Sequence, residues 1–377
     1  MPTLYIHIPF CRQACTYCDF HFITSLRQKT EMVQAIADEL ILRKDFFRGN
    51  NSLRSIYFGG GTPSVLESSE IALILEAAGR HFSIEPEAEI TLEANPDDLS
   101  REKLRQLRHA GINRLSVGIQ SFEEKDLQLM NRSHSASQAV QSLHNALGEG
   151  FSNISADLIF GIPGQSLQEW EQHLLQLISL GVPHISLYAL TVEEKTALAF
   201  QVKKRQTILP EDDFYAKQFL LAHDLLTSHG YAHYELSNYA LPGFRSQHNS
   251  AYWEQIAYLG LGPSAHSFDG TQRMWNVANN QHYLTALNTG QTAIAETEIL
   301  TLRDQYHEYI MTHLRKADGI DSQLIENQLF RGWEDTFSEE IRLWTAEGKM
   351  IKTPAGYRLS PEGWLVSDHI IRDFFMD

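Results

Sequence analysis

Residues 5–20 read YIHIPFCRQACTYCDF, and this stretch decides both the fold and the chemistry that the rest of the chain must fit. A strand-like segment at residues 4–8 leads into Cys11, Cys15 and Cys18, which are the three cysteines of the 377-residue sequence, spaced C-x3-C-x2-C. Three thiolates this close on one loop can hold three irons of a cubane cluster. Such clusters are normally held by four cysteines. One iron would therefore lack a protein ligand, which indicates chemistry rather than a purely structural site.

Two other uses of the cysteines are weaker. A disulfide needs pairs, so three cysteines leave one over, and such short loops close poorly into disulfide geometry. A zinc site would need a fourth ligand, for which His7 and His21 are the candidates. Zinc sites usually show C-x2-C pairs, and this spacing is different. An iron–sulfur cluster is therefore favoured.

Composition restricts the class of protein. The hydrophobic content of 43% and the charged content of 21% are ordinary for a globular protein. The sequence contains no run of eighteen apolar residues, so no membrane span is predicted. The first residues lack the pattern of a signal peptide. Three unpaired thiols without a secretion signal favour the reducing cytoplasm. The net charge of −16 argues against a nucleic-acid binder, since that binding depends on Lys and Arg contacts to phosphates.

Short apolar segments alternate with longer amphipathic segments through the first half of the chain. Strands are predicted at residues 4–8, 55–58, 89–92, 114–119, 155–160 and 184–189. Helices are predicted between them at residues 31–43, 71–81, 101–110, 137–148 and 167–180, because apolar residues recur there at helical spacing. This alternation is typical of an α/β protein with a parallel sheet. Six repeats favour a partial (β/α)6 barrel of the TIM type.

Polar and glycine-rich segments follow the predicted strands. After the cysteines come GGGTPS at 59–64, EANP at 93–96, QSF at 120–122, GIPGQ at 161–165 and YALT at 188–191. In barrels of this kind the active site forms at the carboxyl ends of the strands. Several independent strand ends therefore predict one site.

Three regions are predicted along the chain. Residues 1–210 form the barrel, and residues 211–299 form a connecting region whose Gly, His and aromatic residues look like loops lining a site. Residues 300–377 form a C-terminal module, with helices at 303–315, 322–329 and 337–347, a hairpin at 349–359 and a last helix at 361–375. This order resembles a winged helix. Residues 301–377 contain 14 acidic and 9 basic residues, a net charge of −5. That charge favours a packing or substrate-covering module over a zinc-binding DNA regulator.

These motifs together resemble the radical S-adenosylmethionine (SAM) superfamily. The cysteine motif follows the first strand, Tyr17 precedes its last cysteine, and GGGTP follows the second strand. The segments YIHIPFC at 5–11, SVGIQSF at 116–122 and DLIFGIPGQ at 157–165 narrow the resemblance to the branch that contains the oxygen-independent coproporphyrinogen III oxidases. The resemblance covers essentially the whole chain.

Two groups within that branch, the oxidases and a group of haem chaperones, differ in features that can be checked in this sequence. The oxidases carry a fourth cysteine where Phe20 stands here, and a long arm where only four residues precede Tyr5. The run HNSAYW at 248–253 is similar to a motif that the HemW group of haem chaperones associates with haem binding. The chain is therefore interpreted as a haem chaperone. The alternative is an oxidase that decarboxylates propionates of coproporphyrinogen III with a 5′-deoxyadenosyl radical.

The resemblance also implies roles for individual residues. Cys11, Cys15 and Cys18 would ligate a [4Fe-4S] cluster, and SAM would chelate its fourth iron. The residues expected around SAM are Tyr5, Tyr17, Gly60, Gly61, Thr62, Glu93, Gln120, Arg132, Asp157 and Ala189. His248 would ligate haem iron, with Tyr252 and Trp253 flanking the macrocycle, and His266 is a weaker second candidate.

Structural roles remain open for several of these residues. The glycine run alone would be a tight turn, and Arg132 could form a surface salt bridge. Tyr5 and Ala189 could simply pack, and His248 could be a hydrogen-bonded structural residue. The expected partners are haem as cargo, acceptor haemoproteins and an electron donor, with transient association with a membrane surface left open and no nucleic acid.

Overall fold

Six parallel strands form the centre of the computed structural model, which describes residues 1–376. The strands are β1 Thr3–Ile8, β2 Ser52–Gly60, β3 Ser83–Ala94, β4 Arg114–Gln120, β5 Asn153–Phe160 and β6 His184–Ala189. Each pairs in parallel with the next strand along the chain. All six predicted strands are confirmed, and β2 and β3 are longer than predicted.

Helices connect these strands and cover one side of the sheet. They are α1 Lys29–Leu42, α2 Ser68–His81, α3 Arg101–Ala110, α4 Glu124–Leu129, α5 Ala136–Gly148, α6 Leu167–Ser179 and α7 Ala197–Lys203. Local sequence sets their ends. Ser135 and Ser166 each begin a helix in a reciprocal capping box, and Gly111 ends α3 in the left-handed conformation. The core lies where their apolar faces meet the sheet, as Trp170 and Leu174 of α6 do.

The region 211–299 is more regular than the loops that the sequence suggested. It contains α8 Asp212–Ser228, β7 Ala232–Glu235, β8 Asn238–Ala240, α9 Gln247–Trp253, β9 Tyr258–Leu261, β10 His266–Phe268, β11 Gln272–Asn276, α10 Asn280–Asn288 and β12 Ile294–Ile299. Strands β7 to β11 were not predicted because they have only three to five residues, too few for a recognisable period. Strand β12 has six residues but is an exposed edge strand without an apolar run.

These additional strands extend the central sheet at both edges. Strand β9 runs parallel to β1, and β8 runs antiparallel to β6. The sheet has twelve strands in the order β12-β11-β10-β9-β1-β2-β3-β4-β5-β6-β8-β7. Since β12 and β7 remain as separate edges, the barrel is open, as the predicted partial barrel required.

The C-terminal module, residues 300–376, combines helices with a small antiparallel sheet. Its elements are α11 Leu302–His313, β13 Ile320–Asp321, α12 Ser322–Leu324, α13 Trp333–Thr336, α14 Ser338–Ala346, β14 Met350–Lys352, β15 Gly356–Leu359, α15 Pro361–Trp364 and α16 Ser367–Asp373. The predicted hairpin is confirmed and gains β13 as a third strand. None of the helices within residues 1–376 is long and apolar enough to cross a membrane.

Two predicted helices of this module are wrong in detail. The helix expected at 322–329 is a short α-helical turn followed by a π-helical turn at Ile325–Leu329. The helix expected at 361–375 is interrupted between α15 and α16, where Val366 adopts non-helical backbone angles. Trp364, just before the break, is buried and donates its indole N–H to the carbonyl of Leu314 at 3.1 Å. This anchor to the end of α11 fixes the chain where the helix would otherwise continue.

Candidate functional site

The inner face of the sheet is polar, although its outer face is apolar. On alternate positions of β2 to β5, side chains such as Ile56, Leu92, Val117 and Leu158 are buried in the core beneath the helices. The intervening residues are polar or aromatic and contact one another. The residues of this face that form side-chain hydrogen bonds or ion pairs are Ser55, Tyr57, Glu89, Glu93, Arg114, Ser116, Ser155 and Asp157. A strand exposes successive side chains on opposite faces, so this alternation builds a polar interior for the barrel.

The cysteine loop begins at the carboxyl end of β1. Cys11 donates its backbone N–H to Ile23 at 3.0 Å, and Ile23 returns a bond to Pro9 at 3.0 Å, which closes the loop at its base. Thr16 donates its N–H to Met130 at 3.1 Å and accepts the N–H of Leu198 at 2.8 Å. The loop is therefore held between the ends of α4 and α7. It lies at the carboxyl ends of the parallel strands, as the other predicted site residues do.

Side-chain donors reach two of the three thiols at the carboxyl ends of the strands. Thr62 Oγ1 donates to Cys11 Sγ at 3.3 Å, and Arg132 Nη1 donates to Cys15 Sγ at 3.3 Å. Burial raises the pKa of Cys11 to about 11 and also raises the pKa of Cys18. In residues 1–376, no three His, Cys, Asp or Glu side chains converge as ligands of a single metal ion. Thiolates with hydrogen-bond donors aimed at their sulfurs are the ligands that an iron–sulfur cluster takes, so the donor set fits such a cluster.

The glycine run after β2 packs tightly against the first strand and the cysteine loop. A Cβ at Gly60, whose φ is +105°, would lie 2.6 Å from the His7 ring. A Cβ at Gly61 would lie 2.7 Å from the carbonyl oxygen of Phe10. Both glycines are therefore needed to let this strand end approach the base of the cysteine loop. This contact is a structural reason for the run, besides the predicted contact with SAM.

Arg132 and Gln120 have unpaired polar atoms beside the loop. Arg132 Nη2 donates to Asn95 Oδ1 at 2.7 Å and to the carbonyl of Gly118 at 2.9 Å, while its buried Nε has no partner among the described residues. Gln120 adopts a φ of +66°, and its buried Oε1 also lacks a partner there. Strained backbone and unpaired buried polar atoms concentrate at functional sites. These two residues therefore fit a polar ligand at this edge.

Glu93 and Asp157 form the acidic part of the inner face. Tyr57 donates its hydroxyl to Glu93 at 2.8 Å, and burial raises the pKa of Glu93 to about 7. Asp157 accepts hydroxyl groups from Ser116 at 3.1 Å and Ser155 at 3.2 Å, and burial raises its pKa as well. The serines supply the partners that a carboxylate in an apolar strand requires.

Of the remaining residues predicted around SAM, Tyr5 lies within β1, Tyr17 on the cysteine loop and Ala189 at the end of β6. Tyr5 stacks on Tyr57 with ring centroids 6.2 Å apart, and its hydroxyl is 3.2 Å from His7 Nδ1. Tyr17 packs against a small apolar cluster that includes Met130. Ala189 is exposed at the end of β6. All ten residues thus lie on the strands and loops that meet at this edge.

Helix α9 carries the HNSAYW motif and is bound to β3 through its first turn. The Glu89 carboxylate accepts the backbone N–H groups of Gln247 at 3.0 Å and His248 at 3.1 Å, and the Ser246 hydroxyl at 3.3 Å. Arg114 lies 3.7 Å from the same carboxylate, and both side chains are almost fully buried. A carboxylate is favoured at a helix N-terminus because the unpaired N–H groups point toward it. Glu89 therefore fixes the position of the motif.

His248 is buried, and both of its ring nitrogens are hydrogen bonded. Nδ1 lies 2.9 Å from Ser55 Oγ, and Nε2 lies 3.2 Å from the Tyr252 hydroxyl. The ring stacks on Tyr57 with centroids 4.8 Å apart. Burial lowers the pKa of His248 to about 3, so the imidazole is neutral. In this arrangement His248 has no free nitrogen for an iron ion.

Tyr252 and Trp253 line a cavity of about 370 Å³ between the open barrel and the C-terminal module. Its wall also includes Tyr188 at the end of β6, and Glu308 and Met311 of α11. Because Tyr188 stands one residue before the end of β6, the cavity lies next to the strand-end site. The size is within the range of small-molecule sites. His266 does not line this cavity and instead stacks on Trp275, with centroids 5.6 Å apart.

The sequence prediction missed several residues of this arrangement. Glu89, Arg114, Tyr188 and Arg273 were not predicted, although all four contribute to the inner face or the cavity. A signal for the first two exists, since E-I-T-L-E at 89–93 and R-L-S-V at 114–117 alternate polar and apolar residues. For Arg273 there is none, because its strand lies far along the chain from the others that form the site.

Comparisons with known proteins identify the family of the chain. Residues 5–177 match the family model of the radical SAM superfamily, and residues 300–366 match that of the HemN C-terminal domain. The heme chaperone HemW of Lactococcus lactis is 33% identical over 99% of this chain and 97% of its own length. HemW of Haemophilus influenzae is 40% identical over 86% of this chain and 85% of its own length.

A vertebrate relative and a solved structure extend the comparison. The mitochondrial radical S-adenosyl methionine domain-containing protein 1 of Danio rerio is 35% identical over 100% of this chain and 87% of its own length. The structure of the coproporphyrinogen III oxidase HemN of Escherichia coli superposes with a TM-score of 0.85, at 24% identity, over 99% of this chain and 90% of that chain. That likeness confirms the fold. The chain belongs to the HemW family of haem chaperones, within the radical SAM superfamily.

Proposed function

We propose that this protein binds haem in the cavity between α9 and the C-terminal module and delivers it to acceptor haemoproteins. One observation carries the proposal: Tyr252 and Trp253 of the HNSAYW run form part of the cavity wall, beside the strand-end site. The relatives from Lactococcus lactis and Haemophilus influenzae named above are heme chaperones. Aromatic side chains offer flat apolar surface with a polar tip, which suits a planar macrocycle.

The strand-end site is proposed to hold a [4Fe-4S] cluster and SAM. Cys11, Cys15 and Cys18 would ligate three irons, and Arg132 would hold the SAM carboxylate through its unpaired Nε. Asp157 would accept ribose hydroxyls in place of the serine hydroxyls that it binds here. When bound, these groups supply reductive cleavage of a sulfonium bond. The chain itself positions them and excludes water.

His248 is proposed as the iron ligand, on one structural condition. Its Nε2 is hydrogen bonded to the Tyr252 hydroxyl, so iron can reach it only if that hydroxyl moves away. The Nδ1 bond to Ser55 would remain and orient the ring, as hydrogen bonds to the second nitrogen of a ligating histidine generally do. Because burial keeps the imidazole neutral, no proton has to leave the ring when iron binds.

The cysteine loop argues against the alternative function, that of a coproporphyrinogen III oxidase. Phe20 occupies the position of the fourth cysteine of the oxidases, and its side chain is exposed. The protein is proposed to act in the reducing cytoplasm, where its three free cysteines stay reduced, together with an electron donor for the cluster.

Anaerobic reconstitution followed by two assays on one sample tests this function. The first titrates haem by absorbance, and the second measures turnover of coproporphyrinogen III with SAM and a reductant. We expect one haem per chain and no decarboxylated product. Formation of protoporphyrinogen would overturn the chaperone assignment in favour of the oxidase.

A His248→Ala variant tests the ligand assignment separately. We expect weaker haem binding with the iron content of the cluster unchanged. The matched control is His266→Ala: His248 contacts the wall residue Tyr252, whereas His266 stacks on Trp275, which is not in the wall, so this change should leave the titration unchanged. Equal haem affinity of the wild type and His248→Ala would exclude His248 as the ligand.

A further inference from the structure

An ion pair joins the barrel to the C-terminal module inside the wall of the cavity. Arg273 of β11 donates Nη1 to Glu308 Oε1 at 2.6 Å and Nη2 to Glu308 Oε2 at 3.0 Å, a two-pronged contact. Glu308 lies in α11. The two side chains are only 29% and 14% exposed. The Arg273 guanidinium also lies 5.7 Å from the centre of the Phe268 ring, which holds it in one orientation.

Arg273 is the one positively charged side chain among the described residues that line this cavity. The rest of the wall is apolar, polar or acidic, with Glu235 and Glu308 as its carboxylates. A guanidinium in a fixed fork geometry is suited to two-pronged binding of carboxylates. In this structure the Glu308 carboxylate fills that role. The cavity thus contains one anion-binding group, and a residue of the chain occupies it.

We propose that Arg273 binds a carboxylate of the cavity's ligand, and that Glu308 is an internal substitute which the ligand displaces. The inference rests on the proposed haem-carrying function, since the haem macrocycle carries two propionate carboxylates. It adds the residue that recognises them. It also adds a link between cargo and module, because displacing Glu308 releases a contact between α11 and the barrel.

If the ligand displaces Glu308 from Arg273, removing the charge of one residue and removing the charge of the other change cargo binding in opposite directions. Removing the charge of Arg273 deletes the group that binds the propionate, so cargo binding weakens. Removing the charge of Glu308 deletes the competitor, so cargo binding strengthens. A purely structural ion pair predicts the same direction for both changes, because either one breaks the same contact.

The experiment compares the binding of ferric haem and of haem dimethyl ester, in which both propionates are uncharged, by absorbance titration. The variants are Arg273→Gln and Glu308→Gln in the full-length reconstituted protein. The control is Arg315→Gln, which breaks a second short Arg–carboxylate contact, 2.6 Å to Asp368, outside the cavity wall. Thermal melting of each variant verifies that it is folded.

We expect Arg273→Gln to weaken haem binding by about tenfold or more, the size of one charge-assisted contact, and Glu308→Gln to strengthen it by several-fold. Both effects should disappear with the dimethyl ester, and Arg315→Gln should match the wild type. Shifts of the same sign for both variants, or equal shifts with the ester, would overturn the exchange. If the wild type binds no haem at all, the proposed function itself fails, which is a distinct outcome.

Discussion

The Glu89 carboxylate accepts the backbone N–H of His248 at 3.1 Å, so a residue of the third strand holds the helix that carries the haem-motif residues. A Glu89→Ala variant leaves Arg114 buried without its partner carboxylate. Breaking a buried ion pair in this way costs about 3 to 5 kcal/mol. We expect a loss of that size in the free energy of unfolding of the apoprotein, measured by urea denaturation, together with weaker haem binding.

The matched control for this change is Glu254→Ala. Glu254 lies 3.6 Å from Arg54, but its side chain is 44% exposed, so the loss should stay below about 1 kcal/mol. Equal losses for the two variants would contradict the assigned role of Glu89 in anchoring α9.

Gly60→Ala should disrupt the approach of the second strand end to the cysteine loop. The new methyl group would lie 2.6 Å from the His7 ring, at a backbone φ of +105°. We expect a lower melting temperature and reduced iron after reconstitution, measured by a colorimetric iron assay.

Gly270→Ala separates the effect of the backbone from that of the contact. Gly270 has a similar φ of +101°, but a Cβ there would have no neighbour within 4 Å. This variant should lose only the roughly 1 kcal/mol of an unfavourable left-handed alanine and should retain full iron. Loss of iron in both variants would show that the His7 contact is not the cause.

Cys18→Ala should abolish a stable cluster, because the loop then offers two thiolates in place of three. Iron content and the absorbance of the reconstituted protein measure the effect. Phe20→Ala is the control, since Phe20 lies on the same loop with 65% of its surface exposed. Full iron retention in Cys18→Ala would contradict the cluster assignment.

The carboxyl group of Glu235 should make the free energy of unfolding fall as pH rises. It lies in the cavity wall, and burial raises its pKa from 4.5 to about 7. The folded state therefore holds a proton that the unfolded state has already released above pH 4.5. Linkage then removes about 3 kcal/mol of stability between pH 5 and pH 8, and the loss ends above the folded pKa.

Urea unfolding of Glu235→Gln at pH 5 and pH 8 measures that contribution. A neutral amide should remove this part of the pH dependence, so the variant gains on the wild type by about 3 kcal/mol at the higher pH. Asn238, whose Oδ1 has no partner among the described residues, can rotate its amide to accept from the new side chain. Glu298→Gln, on the exposed strand β12, is the control. A constant difference between Glu235→Gln and the wild type across pH would contradict the prediction.

The parts of the fold with a strong local period were predictable from the sequence. The six parallel strands are apolar runs between amphipathic helices, and the cysteines and glycines at their ends mark the site. Strands β7 to β11 were not predictable, because three to five residues carry too little pattern, and β12 is exposed and lacks an apolar run. Their place in the sheet depends on pairing with β1 and β6, which are distant in sequence.

The site likewise contains features that the sequence could predict and features that only the structure shows. Arg132 was predicted from the family resemblance, but the sequence could not show that it contacts Cys15 or that Gln120 has a strained backbone. His248 was predicted as a ligand, yet only the structure shows that Ser55 and Tyr252 occupy both ring nitrogens. The contacts of Arg132 with Cys15 and of Ser55 with His248 join residues more than a hundred positions apart, so they leave no trace in local sequence. The contact of His248 with Tyr252 spans four positions of α9, a spacing at which helix residues are neighbours.

Haem transfer tests the central claim most directly. The reconstituted protein is loaded with one equivalent of haem, separated from free haem and mixed with a haem-free acceptor haemoprotein, and the spectra of both are followed. The account predicts that haem leaves the donor and appears in the acceptor in equal amounts, at a rate that rises with acceptor concentration. Haem that stays bound to the donor, or a rate that does not depend on the acceptor, would contradict a chaperone that delivers its cargo.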